Sequence, residues 1–143
     1  MLHAVEIHAC RREVVHLGQL FSMPVSAGFP SPAEDYVDAP LDLNELVIQH
    51  PSATYFVRVQ GESMQDLGIL DGSMVVVDAA LEPRDGDVVI AAVDGEFTVK
   101  QFVRRDGRCY LHAANTAYPP IELAGERELT IMGVVTYSLT FHR

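Results

Sequence analysis

The sequence predicts a mainly β protein that forms one domain, with a short helix and a flexible N-terminal arm. The length of 143 residues and the 48% share of hydrophobic residues suit a single packed core. From residue 53 onward, the apolar residues fall in short runs of strand length. Asp-Gly pairs separate several of these runs, as they do in β-hairpins.

The first element predicted in the folded body is a short helix. Asp42 is followed by Glu45 three residues later, which is the spacing of a capping box. Pro51 is expected to end this helix, because proline has no backbone N–H to continue the hydrogen-bond ladder.

Strand-like runs make up the rest of the body. They cover residues 55–60, 74–77, 88–93, 97–103, 109–113 and 129–141. The Asp-Gly pairs at 94–95 and 106–107 separate closely spaced runs and predict two-residue hairpin turns. Gly133 lies inside the last run and is expected to mark a bulge or bend.

Charge and turn residues divide the chain into an arm, a linker and a body. Residues 1–27 hold two acidic and two basic residues, so the rest of the chain carries the whole net charge of −10. Residues 25–33 include one glycine and two prolines, and we expect this segment to be exposed and extended. The predicted organisation is an arm at 1–27, an extended linker at 28–40 and a β-rich body at 41–143.

Composition excludes several classes of function. A net charge of −10 repels a phosphate backbone, so direct, sequence-independent DNA binding is disfavoured. Direct sequence-specific DNA binding is not expected either. Cys10 and Cys109 are far apart and have no metal-ligand spacing, which favours a reducing, cytoplasmic setting without a disulfide or zinc site. We expect no cofactor. We also expect no metal site, since four aspartates precede glycine in turns and none fits the spacing of a calcium loop. No export signal and no membrane-spanning run is expected.

Two residues carry the candidate chemistry. Ser63 follows a strand-ending Gly-Glu pair, and on its own it is best interpreted as the N-cap of a short turn. Lys100 is the only lysine, and within its predicted strand it could simply keep its ammonium in water at a sheet edge. Together, a serine hydroxyl and a neutral, desolvated lysine can form a catalytic dyad. A Ser/His/Asp triad with His50 or His112 is an alternative.

Three long stretches carry a family resemblance. Residues 28–37, 43–57 and 89–100 resemble the UmuD family, the self-cleaving subunits of error-prone DNA polymerases, within the wider LexA-type group of self-cleaving repressors and signal peptidases. The resemblance implies a LexA/signal-peptidase-like fold of coiled β-sheets. Residues 1–26 are the part of the chain that matches this family least.

The resemblance also implies a site. Ser63 would be the nucleophile and Lys100 the general base of a serine endopeptidase, and the bond cut would join Ala27 to Gly28. Backbone N–H groups of Glu62 and Ser63 would form the oxyanion hole. Small residues at the junction suit a narrow cleft that accepts the segment as an added strand.

Partners follow from the same resemblance. A RecA filament on single-stranded DNA would act as co-protease after DNA damage, in the SOS response. The product, residues 28–143, would form a homodimer and join a UmuC-type DNA polymerase subunit for mutagenic translesion synthesis. The long apolar-faced run at 129–141 is a plausible contact between subunits.

Two other functions remain open from the sequence. One is a LexA-like transcriptional repressor inactivated by the same cleavage, although the 27 residues before the junction are few for a helix-turn-helix domain. The other is a non-catalytic β-sheet interaction module in which Ser63 is only a cap and Lys100 only a surface charge.

Overall fold

A computed structural model describes residues 3–9, 17–21, 37–123 and 129–143, with side chains from residue 40 onward. The chain divides into two compact units, one formed by the first 11 residues together with residues 48–143 and the other by residues 12–47. The predicted cleavage junction at Ala27 and Gly28 lies outside the described residues, as does the expected extended segment at 25–33.

The chain is mainly β, as predicted. The described elements are β1 (His3–Ala9), β2 (Leu17–Phe21), β3 (Val37–Asp42), α1 (Leu43–Val47), β4 (Thr54–Gln60), β5 (Met74–Asp78), β6 (Val88–Val93), β7 (Glu96–Arg105), β8 (Arg108–His112), β9 (Ile121–Glu122) and β10 (Leu129–Leu139). In the larger unit, an antiparallel sheet has the strand order β1-β4-β5-β10-β6-β7-β8-β9. A further pairing of β1 with β7 closes six of these strands into a ring.

The N-terminal arm contributes a strand that the sequence did not predict. The backbone of β1 pairs antiparallel with β4, from His3 opposite Gln60 to Ala9 opposite Tyr55, with one irregularity between Ala4 and Glu6. Strand pairing of this kind is decided by a partner some fifty residues away, so local sequence patterns carry little information about it.

Both predicted hairpin turns are confirmed. Asp94 and Gly95 connect β6 to β7 with φ angles of 49° and 82°, and Asp106 and Gly107 connect β7 to β8 with 51° and 75°. Positive φ at both central residues matches the right-handed twist of the paired strands. These turns set the register that places Lys100 opposite Val89 of β6.

The predicted irregularity at Gly133 is confirmed. The pairing of β10 with β6 shifts between Ile131 and Gly133. A Cβ at Gly133 would lie 2.6 Å from Val77 Cγ1 and 3.2 Å from the Asp78 carbonyl oxygen, so only glycine fits this approach. The strand ends at Leu139, two residues earlier than the predicted end.

The smaller unit contains the β2–β3 hairpin and α1. Asp42 Oδ1 accepts a hydrogen bond from the Asn44 N–H at 3.0 Å, so Asp42 starts the helix as predicted. The helix ends at Val47, however, and not at Pro51. Pro51 instead opens a separate 3₁₀ turn, where a residue without an N–H suits the first helical position.

The hydrophobic core of the larger unit fixes the neighbours of both candidate site residues. Met64, directly after Ser63, and Val99, directly before Lys100, are fully buried in the same cluster, together with Val57, Val59 and Val75. The apolar packing of Met64 and Val99 thus holds the backbone next to Ser63 and Lys100 in place. Among the described residues, no helix has the length and apolar character needed to cross a membrane.

Candidate active site

Ser63 lies in a tight turn, residues 61–66, which we call the nucleophile turn. At its start, Gly61 has a φ of 105°, and its N–H donates to Asp71 Oδ1 at 2.9 Å. At its end, the Asp66 N–H donates to the Ala114 carbonyl oxygen at 2.8 Å. Both ends of the turn are therefore held, and the peptide that carries Ser63 has little freedom to move.

The N-cap interpretation of Ser63 is wrong. The short 3₁₀ helix that follows comprises Gln65–Leu67, and Met64 occupies its N-cap position without a side-chain capping bond. Ser63 is instead fully buried, with a relative exposure of 0%.

Lys100 lies on β7, between β6 and β8, and is not a surface charge. Its relative exposure is 1%, so the interpretation of an edge-strand lysine with its ammonium in water is wrong. Thr98 and Val99 beside it are also buried. Among the described residues, none of the ion pairs includes Lys100.

The structure brings the two predicted residues together although 37 positions separate them in sequence. Lys100 Nζ lies 3.4 Å from Ser63 Oγ, within hydrogen-bond distance. Burial lowers the pKa of Lys100, because removing water disfavours the ammonium more than the neutral amine. A neutral amine at this position can accept the hydroxyl proton and so activate the serine oxygen.

The carbonyl of Glu62 is held from two sides. It accepts hydrogen bonds from the Gln65 N–H at 3.2 Å and from Asn115 Nδ2 at 3.0 Å. In a trans peptide the N–H points away from the C=O, so these bonds fix the direction of the Ser63 N–H. The Ser63 N–H is one of the two groups predicted for an oxyanion hole, and the Glu62 N–H is the other.

Asn115 and Tyr118 are neighbours of the site that the sequence analysis missed. Both lie in the connection between β8 and β9, and the centroid of the Tyr118 ring is 5.8 Å from Lys100 Nζ. No motif signals such contacts, since they depend on the packing of Asn115 against Glu62, 53 positions away, and of Tyr118 over Lys100 on another element.

The candidate nucleophile of the alternative triad, Ser63, has its hydroxyl against Lys100, and the two histidines make contacts elsewhere. His50 Nδ1 is 2.6 Å from Asp78 Oδ2, at the end of β5. The His112 ring makes an edge contact with Tyr110, with 6.0 Å between ring centroids. Within the part of the chain that the structure describes, no group of three or more His, Cys, Asp or Glu side chains could hold a metal ion.

A fully buried serine hydroxyl beside a desolvated lysine, on a mainly β scaffold, defines a class of serine-peptidase-like proteins. Comparison with known proteins gives the family. The chain belongs to the peptidase S24-like family, whose model matches residues 19–136.

Individual proteins that are similar to this chain support the same family assignment. Protein SamA of Salmonella typhimurium is 49% identical over 82% of this chain and 81% of its own length. Protein MucA of Escherichia coli is 43% identical over 90% of this chain and 88% of its own length. The LexA repressor of Shewanella baltica is 37% identical over 85% of this chain and 59% of its own length.

The resemblance to the UmuD family is thereby confirmed. The chain is a LexA-like serine peptidase of the S24 family, similar to SamA and MucA.

Proposed function

We propose that this protein is a self-cleaving serine endopeptidase that cuts its own chain between Ala27 and Gly28, with Ser63 as nucleophile and Lys100 as general base. The observation that carries the proposal is the buried contact of 3.4 Å between Lys100 Nζ and Ser63 Oγ in a chain of the S24 family. Burial of both side chains supports it, because a serine–lysine pair works only where the amine can be neutral.

The reaction takes two steps. Ser63 Oγ attacks the Ala27 carbonyl carbon while its proton passes to Lys100 Nζ. The bond to the Gly28 nitrogen then breaks, and the resulting ammonium returns the proton to the departing amine. Water, deprotonated by the same lysine, hydrolyses the ester between Ser63 and Ala27 and restores both side chains.

The oxyanion formed in each step would be stabilised by the Ser63 and Glu62 N–H groups. The two hydrogen bonds to the Glu62 carbonyl support this role for Ser63, because they orient its N–H before the reaction begins. A donor that needs no reorientation stabilises developing charge most effectively.

Cleavage would convert an intact chain into an arm, residues 1–27, and a product in which a linker at 28–40 precedes the body at 41–143. The pairing of β1 with β4 extends over most of β4, so the arm would leave only after these hydrogen bonds break. By the family resemblance, a RecA filament on single-stranded DNA promotes the cleavable state in the SOS response. The product then joins a UmuC-type polymerase subunit for translesion synthesis.

The product would act as a homodimer through the C-terminal part of β10. Tyr137 and Leu139 of this strand and Phe141 just beyond it are exposed, at 42%, 45% and 87%. In the described chain, β6 pairs with β10 only as far as Val135, which leaves one backbone edge of β10 open beyond that residue. An open edge beside an apolar stripe suits antiparallel addition of the same strand from a second copy. A monomeric mass at micromolar concentration, for both intact and cleaved chains, would contradict this.

The direct test is incubation of the purified chain with and without RecA filaments, followed by intact mass and N-terminal sequencing. We expect a fragment that begins at Gly28 and faster cleavage with filaments. Ala27→Trp should block cleavage if the cleft is narrow, whereas Ala33→Trp, a matched change beyond the junction, should not. A different N-terminus refutes the junction, and normal processing of Ala27→Trp refutes the narrow cleft.

A second candidate function is a self-cleaving transcriptional repressor, favoured by the 37% identity to a LexA repressor. The identities of 49% and 43% to SamA and MucA favour the first function over it. Specific, salt-resistant binding of the intact chain to a DNA site, lost on cleavage, would reverse this order.

A further inference from the structure

The connection between β8 and β9 is attached to the nucleophile turn through Ala114 and Asn115. The Ala114 carbonyl accepts from the Asp66 N–H at 2.8 Å, and the Ala114 N–H lies 3.4 Å from Met64 Sδ. Asn115 Nδ2 donates to the Glu62 carbonyl at 3.0 Å. These contacts attach Ala114 and Asn115 to residues of the nucleophile turn before and after Ser63, and we call residues 114–118 the positioning segment.

Asn115 also shapes the positioning segment itself. Its Oδ1 accepts from the Ala117 N–H at 3.1 Å, and its carbonyl accepts from the Tyr118 N–H at 3.1 Å. One side chain thus connects the nucleophile turn to the turn that carries Tyr118. The ring of Tyr118 then lies over Lys100, with its centroid 5.8 Å from Nζ.

We propose that the positioning segment acts on both members of the Ser63–Lys100 pair: Asn115 fixes the direction of the Ser63 N–H, and the Tyr118 ring excludes water from the Lys100 amine. The inference deepens the proposed function and rests on it. Neither residue exchanges a proton or a bond with the substrate, so both are positioning residues.

The two effects of an aromatic ring on an amine oppose each other. A ring face attracts an ammonium, which favours the charged form, whereas covering the amine removes water, which favours the neutral form. Burial is the cause that lowers the pKa of Lys100. Loss of the ring should therefore raise this pKa, because water regains access to the ammonium.

Among the residues whose side chains the structure describes, no charged group lies against Lys100, so burial decides between its charged and neutral forms. Tyr118 is the titratable side chain whose ring faces the amine. The carboxylates of the nucleophile turn, Glu62 and Asp66, are exposed. On the neighbouring strands, β6 presents Val89 opposite Lys100, and His112 of β8 pairs with Gln101, whose side chain points to the other face of β7.

The test measures the self-cleavage rate of the full chain across neutral to alkaline pH for three variants. Tyr118→Ala should be about tenfold slower than wild type at pH 7 and should approach wild type at high pH, because a higher pKa delays formation of the neutral amine. Tyr118→Phe keeps the ring and should retain the wild-type profile. Asn115→Asp keeps the acceptor for Ala117 but loses the donor to Glu62, and it should remain about tenfold slower at high pH, where Lys100 is neutral even beside the new carboxylate.

Thr116→Ala, an exposed change in the same segment, is the matched control and should behave as wild type. Circular dichroism and thermal unfolding establish that each variant is folded. If Tyr118→Ala fails to fold, Tyr118→Leu provides the same comparison with a smaller apolar side chain.

The outcomes separate this inference from the proposed function. The first outcome is that the wild-type chain cleaves, Ser63→Ala abolishes cleavage, and Tyr118→Ala and Asn115→Asp keep the wild-type pH profile. This outcome overturns the inference and leaves the proposed function standing. An equal loss at every pH for Tyr118→Ala overturns the role of the ring in excluding water. Loss of cleavage in Tyr118→Phe would make the Tyr118 hydroxyl a reacting group, and this result also overturns the role of the ring in excluding water. A wild-type chain that never cleaves overturns both proposals.

Discussion

Two buried ionisable residues in the larger unit are accommodated in opposite ways. The Asp78 carboxylate, on a residue 3% exposed, is 2.6 Å from His50 Nδ1 and accepts from the Ala80 N–H at 2.9 Å. The Lys100 amine, on a residue 1% exposed, has a serine hydroxyl at 3.4 Å and the face of a tyrosine ring. Asp78 has the partners that a buried charge requires, whereas Lys100 has partners that suit a neutral amine.

This difference marks Asp78 as a structural group and Lys100 as a candidate catalytic group. A carboxylate with both oxygens hydrogen-bonded stabilises the fold. A buried amine without a charged partner costs stability, and the same cost makes it available as a base. We therefore expect changes at the Asp78–His50 pair to lower stability with little effect on cleavage. Changes at the Ser63–Lys100 pair should lower the cleavage rate strongly without a comparable loss of stability.

The largest expected effect is that of Ser63→Ala, which should lower the self-cleavage rate by about 10⁴-fold or more, because no other group can form the ester. Intact mass after prolonged incubation measures it. Ser73→Ala is a matched control, since Ser73 is also buried but its hydroxyl bonds to Thr140 and the Leu70 N–H. Ser73→Ala should lower stability and retain cleavage; the opposite pattern would remove Ser63 from the mechanism.

Lys100→Met should lower cleavage by about 10³-fold. In the wild type, the rate should rise with pH while the amine is still losing its proton and level off above its lowered pKa. The variant should lose this rise, which rate measurements from pH 6 to pH 10 can establish. A Lys100→Met chain with the wild-type pH dependence would leave the base unidentified.

Asp78→Ala should lower the free energy of unfolding by about 3 kcal/mol, because the Ala80 N–H and the His50 ring both lose the buried carboxylate that accepts from them. Denaturant titration of the Ser63→Ala background avoids interference from cleavage. Asp87→Ala removes a similar bond to the Arg84 N–H at an exposed position and should cost less than about 1 kcal/mol. Equal losses of unfolding free energy in Asp78→Ala and Asp87→Ala would show that burial does not distinguish the two aspartates.

Lys100→Met should also raise stability, by about 2 kcal/mol near pH 7, since an apolar side chain replaces a buried amine. Between its lowered folded pKa and its ordinary value, Lys100 binds more protons when unfolded, so wild-type stability rises with pH in that window. The advantage of the variant should therefore shrink as pH increases. A stability difference that grows with pH would contradict the burial of a mainly neutral amine.

The smallest expected effect is that of His50→Ala, about 1 kcal/mol. The His50 side chain is 47% exposed, so water can replace part of its contact with Asp78. Chemical unfolding of this variant beside Asp78→Ala measures how much of the carboxylate's stabilisation comes from the ring. A loss equal to that of Asp78→Ala would assign the stabilisation to the ring rather than to the Ala80 N–H.

Local patterns in the sequence determined the β class, the two Asp-Gly hairpin turns and the irregularity at Gly133. Each depends on a short-range physical rule: the period of apolar residues, the positive φ required by a tight turn, or the absence of a Cβ. The predicted pairing of Ser63 with Lys100 came from the scarcity of lysine and from a family resemblance, and the chain places these two side chains in contact.

Only the tertiary structure decided where the other parts lie. The pairing of β1 with β4 depends on a long-range partner, the burial of Lys100 depends on the strands on both sides of β7, and the contact of Asn115 with Glu62 joins two connections that no local pattern relates. The sequence by itself determined which residues could react, because chemistry belongs to side chains. Whether an amine is dry and which N–H groups are aligned was decided by packing, because desolvation and orientation are properties of the assembled fold.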